Sequence, residues 1–182
     1  MSRIEIRQLE PDEARTRTGE LAALLREAVD AGMALGQLAP VDTERAFAEM
    51  IGALEPGERL LFGAFVDGEL VGTAQLERAS PANSRHRAEI QRVVVRGDAQ
   101  RQGVGRELMR AVEAAAAIHG ITLLWLTTHD RTPACAFYER LGYVRLGVMP
   151  AYSRRPSGEL WPSAFYYRLL ERRSPGSTSN RG

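Results

Sequence analysis

The sequence contains no lysine: all 24 of its basic residues are arginine. That excludes Schiff-base chemistry and the phosphate-gripping lysine of a P-loop. An all-arginine set of cations reads first as composition bias. Cysteine is almost absent as well. The single Cys135 rules out an internal disulfide and any multi-cysteine zinc site, and no other metal site is expected. As a lone residue it reads as a small buried apolar side chain, and as a nucleophile only with a histidine near it. Neither sign of charge dominates, since 24 basic against 23 acidic residues leave a net charge of +1. No whole-molecule field is available to hold nucleic acid or an anionic membrane. No apolar run approaches the roughly 18–20 residues of a membrane span. The N-terminus, Met1-Ser2-Arg3-Ile4-Glu5-Ile6, alternates apolar and charged residues where a signal peptide needs a continuous apolar stretch. The expected location is therefore the cytoplasm.

What is present fits one ordinary domain. The chain has 182 residues, 44% of them hydrophobic and 26% charged, enough to bury a core without staples. The domain is expected over 1–171. The polar, Pro/Gly/Ser-rich stretch 172–182 cannot bury enough to order itself and reads as a disordered tail.

Patterning gives an order of elements. A strand is expected at Ile4–Gln8 and a helix from Asp12 to Ala31, stopped by Gly32. A loop, Gly32–Pro40, leads to a second helix from Asp42 to Leu54. Strands Leu60–Val66 and Leu70–Arg78 are joined by Asp67-Gly68, a two-residue hairpin signal. A strand at Ala88–Val95 precedes a helix from Gly103 to Ile118, whose apolar stripe includes Val104, Leu108, Val112 and Ala115. Then come a strand at Ile121–Thr127, a short helix at Pro133–Leu141, a strand at Tyr143–Val148, an Arg- and Pro-containing loop, and a last strand at Ser163–Leu170. Alternating strands and helices of this kind make an α/β (α+β) domain with one mixed sheet.

The most informative segment is Val93-Val94-Val95-Arg96-Gly97-Asp98-Ala99-Gln100-Arg101-Gln102-Gly103-Val104-Gly105-Arg106. A β-branched strand runs into a polar turn, and two glycines open a helix. The first N–H groups of a helix lack internal partners and sit at the positive end of its dipole. Without side chains at Gly103 and Gly105, a phosphate can approach them, with Arg101 and Arg106 at the rim. The alternative is a turn whose glycines serve tight helix–strand packing. The Walker and G-x-G-x-x-G patterns both fail here, the first for want of lysine and the second because Leu108 stands at its third glycine. In the strand before this turn the alternation changes phase near Gln91-Arg92, from Ile90 to Val93 and Val95. A one-residue bulge explains this, and a splayed, bulged strand exposes backbone groups to an amide-bearing ligand. A fully buried strand without a bulge explains the pattern equally well.

These residues carry a resemblance. The run Val93–Arg106, with Gln100-Arg101-Gln102-Gly103-Val104-Gly105 as a Q/R-x-x-G-x-G/A signature, resembles motif A of the GNAT superfamily of N-acetyltransferases. The run Ala134–Tyr143 resembles that family's A-x-x-x-Y-x-x-x-G-F/Y motif B, in the expected order. The first helix and its loop (Leu24–Gly36), Ala88-Glu89-Ile90 and the stretch Pro150–Tyr167 are similar to the tabtoxin-resistance acetyltransferase subgroup. The resemblance implies a mostly antiparallel central sheet with helices on both faces. It also implies an acetyl-CoA-dependent acyltransferase that passes acetyl directly to the amine of a small amino-acid-like or antibiotic-like molecule. A protein or peptide amine, or acyl-CoA binding without catalysis, are the alternatives.

Carried over by position, the backbone of Val93, Val94 and Val95 would pair with the pantetheine arm. The amides of Gln100, Arg101, Gln102, Gly103, Val104, Gly105 and Arg106 would hold the pyrophosphate. Tyr138 would serve the departing sulfur as general acid or hydrogen-bond donor. Where the family often has asparagine, seven residues earlier, this chain departs from the pattern with Arg131, so that the asparagine's contact with the cofactor arm does not carry over and the arginine is expected to reach the adenosine phosphate instead. Glu89, six residues before Val95, stands where several members place a catalytic carboxylate, and a half-buried carboxylate there would have a raised pKa. The subgroup's aspartate at the end of the next strand is Thr127 here. Either Glu89 acts alone or His129 or Asp130 substitutes. Substrate walls are expected from Gly32–Pro40 and Tyr152–Trp161, with Arg154 and Arg155 suited to an acceptor's carboxylate. The first helix and the C-terminal strands offer a surface for a homodimer.

Overall fold

The computed structural model describes residues 3–33, 58–155 and 157–171. The expected helix Asp42–Leu54, most of the Gly32–Pro40 loop and the expected tail lie outside these residues. The elements are β1 (Ile4–Gln8), α1 (Pro11–Thr16), α2 (Thr18–Asp30), β2 (Arg59–Val66), β3 (Glu69–Arg78), β4 (Arg87–Val95), α3 (Val104–Ile118), β5 (Leu123–His129), α4 (Pro133–Arg140), β6 (Val144–Arg154) and β7 (Leu160–Leu169). Their strands form one seven-stranded sheet in the order β1-β2-β3-β4-β5-β7-β6. Every neighbouring pair is antiparallel except β4 and β5, which are parallel. The expected mixed, mostly antiparallel sheet is therefore observed. No helix among the described residues is long and apolar enough to cross a membrane.

Two apolar clusters lie on opposite faces of this sheet. On one face Leu60, Phe62, Ala74, Leu76, Ala88 and Ile90 pack against Leu108, Met109 and Val112 of α3 and against α4. On the other, Leu61, Phe65, Leu70 and Val94 pack against Leu21, Leu25 and Val29 of α2. The alternation along β2 and β3 sends successive side chains to the two faces, as strand geometry requires.

Local chemistry accounts for the places where pattern and structure differ. The single helix expected from Asp12 to Ala31 is divided at Arg17. There the hydroxyls of Thr16 and Thr18 bond back to the carbonyls of Glu13 and Arg15 at 2.7 and 2.8 Å, competing with helical amides. Strand β5 starts later than expected because Ile121 completes the end of α3. Gly120 is left-handed (φ +71°), its amide reaches Ala117, and the Ile121 amide reaches Ala116 at 2.9 Å. The Arg- and Pro-containing stretch expected as a loop is mostly strand. Strands β6 and β7 form a long hairpin, and Pro150 falls at a register shift between Met149 and Ser153 beside left-handed Ala151 (φ +53°). Proline reads as loop in sequence, yet an edge strand tolerates it at a bulge.

Leu108 is fully buried at the centre of α3, whereas Leu169 is 70% exposed. Leu108→Ala is expected to lower the unfolding free energy by about 2–5 kcal/mol. Leu169→Ala should stay within about 0.5 kcal/mol of the parent. Urea titration of both variants checks this, and a Leu108→Ala loss no larger than that of Leu169→Ala would contradict the packing described.

Candidate functional site

Strands β4 and β5 touch over only three residue pairs, Arg87–Leu123, Ala88–Leu124 and Glu89–Trp125. Beyond Glu89 no ladder joins them, so the sheet opens into a split along which the β4 edge has no neighbouring strand among the described residues. The anticipated bulge is in β4. Gln75 of β3 opposes Gln91 and Thr73 opposes Val94, so one residue of β3 faces two of β4. Arg92 in the bulge is left-handed at φ +48°. The bulge inverts the phase: Ala88 and Ile90 face α3 before it, whereas Val93 and Val95 do so after it. Val94 turns instead into the α2-side core. The bulge, not a uniformly buried strand, is thus what the sequence pattern recorded.

At the wide end of the split, β4 runs into the glycine turn. Arg101 and Gly103 are both left-handed, at φ +60° and +91°. The first helical bond of α3 runs from the Glu107 amide to the Gly103 carbonyl at 3.1 Å, which leaves the amides just before it without helical partners. Backbone of mixed handedness gathers successive N–H groups into an anion-binding concavity. The two glycines have different reasons to be there. Gly103 supplies the left-handed turn, whereas a Cβ on Gly105 would lie 3.3 Å from Phe137 Cζ. Both expectations for this turn, phosphate receptacle and tight packing, therefore have a physical counterpart.

The side chains of Gln100 and Gln102 brace the turn from within, donating to the carbonyls of Val95 (2.9 Å) and Asp98 (2.7 Å). Arg96 is held by Glu69 and Asp98 at 2.5 and 2.7 Å. Glu27 of α2 accepts the Gly97 amide at 3.1 Å. Val104 is buried beneath the turn, while Arg101 is exposed and Arg106 is paired with Glu107 at 3.4 Å. What the turn offers an anion is backbone amides and one or two rim cations.

The helix α4 closes the same end from the β5 side. Its Phe137 seats on Gly105, and Tyr138 packs among Phe137, Tyr143 and Tyr166 with ring centroids 5.2–6.1 Å apart. Tyr138 is buried, and its hydroxyl makes no hydrogen bond to another described residue. Burial, and secondarily Cys135, hold its pKa well above that of an ordinary phenol. Cys135 itself is buried and directs its thiol to the His129 carbonyl at 3.5 Å, as a packing residue does.

At the narrow end lies Glu89, half-buried on the face opposite α3. Burial raises its carboxyl pKa above the usual range, against the lowering effects of a Gln91 hydrogen bond and nearby Arg92. Trp125 and Thr127 of β5 share that face. Trp125 stacks on Phe165 at 6.5 Å, and Tyr152 meets the Phe165 edge at 4.9 Å. Of these residues Tyr152 was expected at a substrate wall, whereas Trp125 was given no role from the sequence. The in-phase run Trp125, Thr127, His129 in β5 was the available signal for the aromatic wall.

Of the residues expected as alternative bases, Asp130 is engaged, whereas the buried Nε2 of His129 has no hydrogen-bond partner among the described residues. Asp130 is buried, ion-paired with Arg145 and, at 3.6 Å, with Arg131. His129 ends β5 rather than sitting in a surface loop. It is 8% exposed, and burial together with Arg155 lowers its pKa. Arg131, left-handed at φ +58°, carries a side chain that is 89% exposed in the turn before α4. Arg154 and Arg155 were expected to face an acceptor's carboxylate. Arg154 instead donates to the Gly158 carbonyl at 2.6 Å, and Arg155 lies 3.4 Å over the Trp161 ring, because their stretch folds into the β6–β7 hairpin.

Comparison with known proteins agrees with this geometry. Residues 21–143 match the acetyltransferase (GNAT) family, and the chain belongs to it. The chain is 39% identical over 74 residues to mouse (Mus musculus) N-alpha-acetyltransferase 80, a stretch covering 41% of this chain and 22% of the mouse protein. Similar solved structures include the ribosomal-protein-alanine N-acetyltransferase of Brucella melitensis. It superposes with a TM-score of 0.77 at 21% identity, over 91% of this chain and 99% of that one. The yncA protein of Salmonella typhimurium, solved with its cofactor acetyl-CoA, has a TM-score of 0.77 at 19% identity, over 96% and 98% of the two chains. Acetyl-CoA-dependent N-acetylation, an acyl transfer, is the chemistry of that family.

A β-branched residue cannot hold the left-handed conformation that Gly103 adopts. Gly103→Val is therefore expected to weaken CoA binding at least tenfold by calorimetry, with far-ultraviolet circular dichroism unchanged. Unaltered affinity would show that this turn does not hold the diphosphate.

Proposed function

We propose that the protein transfers acetyl from acetyl-CoA to the amine of a small, amino-acid-like molecule, with Glu89 as base and Tyr138 as donor to the leaving sulfur. The observation that carries this reading is the placement of Glu89 at the closed end of the split, half-buried and with a raised pKa. The open end carries the amide-rich turn, and the family's acyl donor fits that arrangement. The β4 edge at Val93–Val95, which no ladder joins to β5 and whose Val95 carbonyl accepts from Gln100, suits an amide-bearing arm, and the turn at Gln100–Arg106 suits a diphosphate. Arg131, exposed in the turn before α4, is assigned to the adenosine phosphate. When bound, acetyl-CoA supplies the activated thioester.

The chain's own residues would do the rest. The acceptor must lose a proton to attack, and Glu89 takes it directly or through one water. A carboxylate whose pKa is raised by burial is a better base than an ordinary one. Tyr138 stays protonated throughout the physiological range because burial raises its pKa. Full proton transfer from so weak an acid to a thiolate is uphill, which favours a hydrogen bond to the sulfur as charge develops there. Bonds to a charged partner contribute about 1.5–3 kcal/mol.

A second reading, a peptide or protein N-terminal amine as acceptor, draws on the similarity to mouse N-alpha-acetyltransferase 80. Thiol release from acetyl-CoA in the presence of amino acids, small amines and short peptides separates the two by which acceptors support turnover.

Tyr138→Phe should lower kcat by roughly 10–100-fold with little change in the KM for acetyl-CoA. Glu89→Gln should lower it by about 10²–10⁴-fold. The rate should rise with pH as Glu89 deprotonates. The acid limb of kcat/KM should therefore lie above the usual carboxylate range and vanish in Glu89→Gln. Full activity in both variants, or an acid limb that survives Glu89→Gln, would overturn the proposed roles.

A further inference from the structure

Among the described residues, a cation without an ion-pair partner, Arg92, stands beside the proposed base. Arg92 occupies the β4 bulge, half-buried, in the left-handed conformation that a residue of this kind adopts at some cost. Its guanidinium has five N–H donors and is always charged. One of them bonds to Oε1 of buried Gln75 at 2.9 Å, and that partner is neutral. Among the described residues Arg92 has no ion-pair partner within bonding distance. The carboxylate best placed to be one, Glu77, is taken by Arg59 at 2.7 Å. Glu89 lies near enough to feel the Arg92 charge but does not pair with it.

A desolvated arginine with a neutral neighbour is costly unless something else completes it. Here the bulge projects it onto the face that also carries Glu89 and Gln75. A carboxylate and a guanidinium, held close but unpaired, present a complement to a zwitterion. The acceptor's amine meets Glu89, and an anionic group of the same molecule meets the free edge of Arg92. Of the other arginines considered for this task, Arg154 bonds to the Gly158 carbonyl and Arg155 lies over the Trp161 ring, both within the β6–β7 hairpin.

We infer that Arg92 is a specificity-determining residue that binds the carboxylate of the acceptor, so that the enzyme acts on free amino acids in preference to the matching neutral amines. The inference rests on the acyl-transfer reading given above and narrows its substrate class. It also favours free amino acids over peptide acceptors, whose carboxylate lies far from the reacting amine.

The test pairs each L-amino acid with its amino-acid amide, which keeps the amine and removes the negative charge. For the parent enzyme, kcat/KM from thiol release should be at least tenfold higher for the best acids than for their amides. In Arg92→Gln and Arg92→Lys this ratio should fall toward one, through KM rather than kcat, with Lys retaining more of it. A purely structural role for Arg92 would depress both members of a pair alike and leave the ratio unchanged. An unchanged ratio, or a parent enzyme that accepts amides as well as acids, overturns the inference.

Calorimetry of the same amino acids with the CoA-loaded protein supplies a readout that needs no turnover. Binding lost in Arg92→Gln supports the assignment even if no acceptor is acetylated, an outcome that instead removes the acyl-transfer reading. Binding equal in parent and variant removes the assignment of Arg92.

Discussion

Three residue pairs, from Arg87–Leu123 to Glu89–Trp125, join β4 and β5, and the chemistry of the protein follows from where that ladder stops. Had the two strands stayed paired to their ends, the amides and carbonyls of both would have satisfied one another. Their separation leaves the β4 edge beyond Glu89 without a neighbouring strand among the described residues, and brings the glycine turn and the tyrosine helix to one opening. The bulge at Arg92 belongs to the same constraint. It bends and twists β4, and it switches which residues of the strand reach the core.

The absence of lysine shapes the electrostatics of that opening. An anion site built without lysine depends on backbone dipoles, whose direction is fixed by the fold and does not vary with side-chain rotamers. The cations nearest the turn divide between two tasks. Arg96 is consumed by Glu69 and Asp98 in holding the turn's shape, while Arg101 stays exposed at its rim. On the opposite face the balance reverses. Burial works against ionisation at Glu89 and at Arg92 alike, and neither fully compensates the other. Desolvation thus favours a carboxylate able to accept a proton beside a guanidinium able to hold an anion.

Much of this was legible in the sequence, for identifiable reasons. Glycines at 103 and 105 after a β-branched strand report backbone demands that few other residues meet, so the turn could be located from spacing. The phase change from Ile90 to Val93 was compatible with a bulge and with a uniformly buried strand, and the folded register of β3 against β4 separates the two. The limits are equally physical. Arg92 was legible only as the place of the phase change, because what its side chain pairs with is a property of the folded state. The β6–β7 hairpin was hidden because Pro150 marks a loop in sequence but a bulge on an edge strand. The roles offered to Asp130 and Arg155 rested on proximity along the chain. In the folded protein Arg145 and Trp161, from other strands, occupy those side chains.

The central claim is that the amides of the turn from Arg101 to Arg106 hold the diphosphate of the acyl donor. Backbone amide hydrogen exchange, read residue by residue with and without saturating CoA, tests it most directly. The account predicts slowed exchange concentrated in that turn and along the free edge of β4. Calorimetrically confirmed CoA binding, accompanied by no change in exchange across those residues, would contradict it.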